Sequence, residues 1–190
     1  RLCQEAVLGL GGLCLLRALG LPAFARYHMN EGHAALLVPG LLEEARRAAG
    51  RPASTLEDVE AVRSRCVFTT HTPVAAGHDQ FPMDLVRRVL PDFAVPPELE
   101  PELCHDGRLN MTYLALANSH YVNGVAKKHR ETAQHMFARY RIDSITNGVH
   151  AATWACPPFQ ALFDAHIPGW RADNPSLRYA LSIPRAAVWA

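Results

Sequence analysis

Apolar residues recur at helical spacing over residues 4–19, and Gly20 follows as a stop. The pattern predicts a first helix there, then a short strand over 24–29. Asn30 falls where a helix N-cap belongs, ahead of a helix over 32–48. A loop over 50–54 leads to a second cap. Ser54 and Glu57 have capping-box spacing, which predicts a helix to about Arg65. "CVFTT", residues 66–70, is β-branched and aromatic without clean alternation. That predicts a strand buried on both faces of a parallel sheet. A loop held by Pro73, Gly77 and Pro82 follows, then a short helix over 83–90 and an irregular, proline-rich excursion over 91–107. Helices over 110–120 and 126–140 flank a strand-like turn at 121–125. A last strand is expected at 142–146 and a last helix at 157–165. Strands alternating with helices predict an α/β fold, a parallel sheet with flanking helices.

The order of elements gives the polar clusters their meaning. "NEGH", "THTPVAAGH", "NGVAKKH" and "TNGVH" each come just after a predicted strand. In open parallel sheets, ligands bind beyond the carboxyl ends of the strands. Four such loops would line one edge of the sheet.

Composition narrows the choices. The 190 residues are 49% hydrophobic, enough for a core, and 19 basic against 18 acidic residues leave a net charge of +1. Nothing in that balance asks for a nucleic-acid or membrane partner. Five scattered cysteines without a C-x-x-C pair fit reduced thiols in a cytoplasm. No signal peptide is visible. The chain opens on Arg1 and stops at "IPRAAVWA", so both ends read as internal to a longer polypeptide.

Each candidate chemistry has an ordinary structural competitor. His28 and His33 lie five apart with Glu31 between them, and H-E-x-x-H is absent. Residues i and i+5 do not share a helix face. His71 and His78 could be added, but nothing in the spacing demands a metal, and none is expected. There is no G-x-S-x-G, so nucleophilic hydrolysis is disfavoured. With Asn30 as cap, Glu31, Gly32 and His33 occupy a first turn whose free N–H groups can hold hydroxyls or anions. The competing reading is a plain cap with His33 packed inside. His71 and Thr72, fixed by Pro73 at the end of a buried strand, are a second candidate pair. "GLGG" is a poor dinucleotide loop, because the third glycine of G-x-G-x-x-G would fall on Cys14. Close helix packing explains those glycines better.

"YHMNEGHAALL", "VFTTHTPVAAGHDQFP", "LNMTYLALANSHYVNGVAKKH" and "ITNGVHAATW" occur in this order. Together they resemble the α-glucan (glycogen, starch or maltodextrin) phosphorylases, most closely the shorter bacterial and archaeal branch. The resemblance implies part of a GT-B glycosyltransferase fold. Residues 1–150 would be the later part of its first Rossmann-like domain, and 151–190 a connecting segment toward the second. It implies a retaining glycosyltransferase that acts on α-1,4-glucan with inorganic phosphate and releases glucose 1-phosphate. It further implies pyridoxal phosphate in the full-length protein, a homo-oligomeric assembly as an option, and an inactive isolated chain. His71 and Asn147 correspond to catalytic positions. Glu31, His33, Thr72 and Val125 correspond to sugar-binding positions. No cofactor-binding residue is implied within this chain. Its lysines, Lys127 and Lys128, stand where the family does not attach the cofactor. Two other readings stay open at this point: a glucan synthase or transferase that does not use phosphate, and a non-catalytic glucan-binding relative.

Overall fold

A computed structural model of the protein describes residues 1–21 and 24–189. These form two compact units, Arg1–Thr146 and Asn147–Ala190.

The first unit opens with α1 (Leu2–Ala6) and α2 (Gly12–Ala18), joined by one π-helical turn, Val7–Gly11. The backbone stays right-handed helical through both junctions, so this is one rod carrying a π-bulge. Its buried stripe is Leu2, Glu5, Gly9 and Leu13, a helical spacing that includes one carboxylate. A Cβ on Gly9 would lie 2.6 Å from the Leu37 amide nitrogen and 2.7 Å from the Leu36 carbonyl carbon. The expected role of "GLGG" in close packing holds at this glycine.

Strand β1 (Tyr27–Asn30) is followed by a 3₁₀ turn, Gly32–Ala34, and α3 (Leu37–Ala48). Helix α4 (Leu56–Arg63) leads into β2 (Cys66–Thr70), at the residues the pattern predicted. The capping box of α4 sits one residue later than expected, on Thr55 and Asp58. Asp58 is buried and also pairs with Arg51, which favours it over the exposed Glu57. A 3₁₀ turn, Ala75–Gly77, precedes β3 (Gln80–Pro82) and α5 (Met83–Val89). The excursion expected to be irregular contains α6 (Glu100–Leu103) and β4 (Cys104–His105), and β5 (Arg108–Asn110) follows it. Then come α7 (Met111–Ala117), β6 (Tyr121–Gly124), α8 (Lys127–Met136) and β7 (Asp143–Ser144).

The main sheet has the order β1-β2-β6-β7, with every pairing parallel. The predicted α/β class and parallel sheet are therefore correct. β1 is an edge strand, and its exposure alternates, with Tyr27 and Met29 in and His28 and Asn30 out. β2 is central, and Cys66, Phe68, Thr69 and Thr70 are all buried. A strand of a parallel sheet whose two faces are both covered lacks the solvent face that alternation needs. Met29, Leu36, Leu42, Phe68, Met111, Leu114 and Leu116 form the centre of the core. β3, β5 and β4 make a small antiparallel sheet of their own.

The second unit holds α9 (Ala151–Trp154), α10 (Pro157–His166), a run of 3₁₀ turns at Asn174–Ser182, and α11 (Arg185–Val188). Ile167, Trp170 and Ile183 form its core. The Trp170 indole donates to Asp164 Oδ1 at 2.8 Å, and the Arg171 guanidinium grips both oxygens of the same carboxylate. Among the described residues, no helix is long and apolar enough to cross a membrane.

Candidate functional site

The parallel register lines up the ends of the strands. Asn30 pairs with Thr69, Thr70 with Gly124, and Gly124 with Ser144. The residues that follow, Glu31, His71, Val125 and Ile145, therefore leave the sheet along one edge. Three of the sequence candidates stand in that row, and Thr72 is one residue beyond it.

Glu31 ties the row together. Asn30 was expected to cap the following helix, but it stays in β1. The ladder runs one residue further, with Glu31 N–H donating to the Thr69 carbonyl at 2.9 Å. The cap is Glu31, whose φ of 71° and ψ of 163° turn the chain away from the sheet. Few residues with a Cβ adopt such a backbone, and such strain persists only where the surroundings enforce it. Here the side chain does so. Glu31 Oε1 accepts from Gly32 N–H at 3.0 Å, and Oε2 accepts from His71 N–H at 2.8 Å and the Thr72 hydroxyl at 2.9 Å. One buried carboxylate thus fixes the loop after β1 to the loop after β2.

Burial alone would raise the Glu31 pKa. The N–H groups of His71 and Gly32, the Thr72 hydroxyl and the nearby His78 outweigh it, so the group is held below its ordinary value. The sign follows from linkage. A carboxylate with a depressed folded pKa contributes stability above its unfolded pKa and loses it as pH falls through the folded value. We expect unfolding free energy to fall on acidification below the ordinary carboxylate range. Chemical denaturation at a series of pH values should show a shallower fall for Glu31→Gln. Equal slopes for the two proteins would refute the assignment.

Gly32 packs against the start of α7. A Cβ there would lie 3.2 Å from Thr112 Oγ1 and 3.3 Å from Thr112 N. Its bare face is occupied by the start of α7, capped by Asn110, whose Oδ1 accepts from Thr112 N–H and Tyr113 N–H.

His33 leaves the row. Its Nδ1 lies 3.1 Å from Asp79 Oδ2 and 3.7 Å from Glu5 Oε1. His28, the first metal candidate, points its Nε2 at the Thr69 hydroxyl at 2.7 Å, and that hydroxyl donates to Asn123 Oδ1 at 3.0 Å. His78 is buried, with Nδ1 on Thr112 Oγ1 at 2.8 Å, and burial lowers its pKa. The four histidines considered for a metal therefore serve separate environments. Val125 N–H donates to His129 Nδ1 at 3.2 Å, which fixes the turn between β6 and α8. Asn147 is exposed and belongs to the second unit, where it precedes His150 and its 2.6 Å contact with Thr153 Oγ1.

Sequence reasoning did not single out Glu5, Asp79 or Asn123. Glu5 left a trace, a carboxylate inside an apolar helical stripe. Asn123 and Asp79 left none, since polar loop residues and Asn-Gly turns are common.

No protein-family model matches the chain. Among curated proteins it is similar to the maltodextrin phosphorylase of Thermococcus litoralis, 36% identical over all of this chain and 24% of that protein. The glycogen phosphorylase of Mycobacterium tuberculosis is 36% identical over 85% of this chain and 22% of its own length. That of Aquifex aeolicus is 30% identical over 88% of this chain and 26% of its own. The chain spans about a quarter of the length of these relatives.

Proposed function

We propose that this chain, which belongs to the family of maltodextrin and glycogen phosphorylases, supplies one wall of a site where α-1,4-glucan is cleaved by inorganic phosphate. The observation that carries this reading is the clamp of Glu31 on His71 and Thr72 at the carboxyl edge of the sheet. It holds the His71 backbone N–H and the Thr72 hydroxyl on one carboxylate, at the edge where parallel sheets receive ligands.

In this reading His71 and Thr72 contact the terminal glucosyl unit and Val125 flanks it. Such groups act by placement and by fixed dipoles aimed at the charge that develops on the sugar. Glu31 is a positioning residue: both of its oxygens already accept from the protein. The whole protein would have a GT-B fold and work in the cytoplasm. It would release glucose 1-phosphate.

Pyridoxal phosphate, implied for the whole protein, does not fit the residues of this chain. Its covalent attachment takes a lysine. Lys127 and Lys128 are exposed at the start of α8, and Lys128 Nζ pairs with Glu131 Oε2 at 2.8 Å. The contribution of this chain is to sugar binding.

The test is to supply the complete protein with α-1,4-glucan and inorganic phosphate and assay glucose 1-phosphate. Phosphate-dependent release is expected. Thr72→Val should lower kcat/KM for glucan by about ten- to a hundredfold. Glucan elongation from a nucleotide sugar, or glucan binding without turnover, would overturn the reading.

A further inference from the structure

Glu5, His33 and Asp79 come from α1, from the 3₁₀ turn after β1 and from the loop before β3. One ligand atom from each lies within 4.8 Å of the other two. His33 Nδ1 is 3.1 Å from Asp79 Oδ2 and 3.7 Å from Glu5 Oε1. A tetrahedral ion with bonds of about 2.0–2.2 Å holds its ligands roughly 3.3–3.6 Å apart. The two measured separations bracket that range.

A second observation points to a ligand. Glu5 is 4% exposed, and among the described residues neither of its oxygens has a hydrogen-bond donor. The side chain is aimed into the cluster, with Arg1 Nε 3.5 Å away and His33 Nδ1 next. Burial of a carboxyl group without donors is costly. Burial, followed by the neighbouring Asp79, pushes its pKa up to about 8. A cation at this point would relieve both effects. Arg1 partly fills the role, with Nη2 2.7 Å from Asp79 Oδ2. Its side chain is 59% exposed, so it can swing aside at little cost. Beside the cluster lies an open cavity of about 220 Å³ lined by Arg1, Gln4, Glu5, Leu8 and His33. It leaves room for water to complete a coordination shell.

We propose that Glu5, His33 and Asp79 form a binding site for a divalent transition-metal ion of the zinc class. One imidazole nitrogen with two carboxylates is a borderline donor set. Calcium and magnesium prefer about six or more oxygens, which these residues do not supply. The site is independent of the proposed reaction with glucan.

The test is calorimetric titration of the chain with Zn²⁺ alone in a non-coordinating buffer, with Co²⁺ absorption as a second readout. One equivalent should bind, and Co²⁺ should give the visible bands of a low-coordinate site. Glu5→Gln and Asp79→Asn, both isosteric, should weaken binding at least about tenfold, and His33→Ala should remove the Co²⁺ bands. Arg1→Ala should tighten binding, because it removes the competing cation. Circular dichroism establishes that each variant is folded. No saturable binding near one equivalent, or binding that Glu5→Gln and Asp79→Asn leave unchanged, would overturn the proposal. So would an Arg1→Ala variant that binds more weakly than the parent.

Discussion

Replacing Glu31 with alanine should destabilise the first unit by about 3–5 kcal/mol: hydrogen bonds to a charged group contribute roughly 1.5–3 kcal/mol each, and water reaching the partly exposed His71 and Thr72 offsets part of that loss. Three donors lose their acceptor: the N–H groups of His71 and Gly32 and the Thr72 hydroxyl. The backbone at φ 71° remains, and alanine suffers there as glutamate does. Glycine does not. Glu31→Gly should therefore be less damaging than Glu31→Ala by about 1 kcal/mol, although both lose the clamp. Urea unfolding of the two variants separates the contributions of side chain and backbone. A loss under about 1 kcal/mol for alanine would mean that the clamp is not holding the two loops. In the complete protein, the proposed function predicts that kcat/KM for glucan falls with Glu31→Ala while the rest of the fold persists.

The second large effect is expected at Gly9. A methyl group there would meet the backbone of Leu36 and Leu37 at 2.6–2.7 Å, closer than a Cβ can approach. Leu36 is fully buried, so the turn into α3 has little freedom to retreat. Gly9→Ala should cost about 2–4 kcal/mol, since overpacking outweighs the roughly 1 kcal/mol that alanine adds to a helix. Gly12, three residues on, is the internal control. Among the described residues, nothing lies within 4 Å of a Cβ built there. Gly12→Ala should be neutral or stabilising by up to about 1 kcal/mol. Melting curves that move in the same direction for both variants would contradict this account of the packing.

These two residues show how far the sequence could be read. The helical period around Gly9 and its glycine cluster pointed to close packing, and only coordinates identify Leu36 and Leu37 as the partner. "NEGH" was legible as a polar cluster after a strand. The division of labour within it was not. Asn30 has the chemistry of a cap, yet β2 offers one more backbone partner, so the ladder continues and Glu31 takes the turn. Local propensity for Asn30 lost to a tertiary hydrogen bond. Similarly, Ser54 and Glu57 had the spacing of a capping box, and burial moved it to Thr55 and Asp58.

The sequence by itself determined the fold class and the edge of the sheet where the polar loops emerge. Both follow from local order: hydrophobic period, strand–helix alternation, and the position of each polar cluster after a strand. It also carried the family, through long motifs in unbroken order. The tertiary structure decided which polar side chains are committed to one another. Glu31 and His71 are far apart in the chain and share a hydrogen bond; Glu31 and His33 are near neighbours and face different partners. A contact across parallel strands depends on register and on which face each Cβ takes. Neither leaves a periodic mark in the loops themselves.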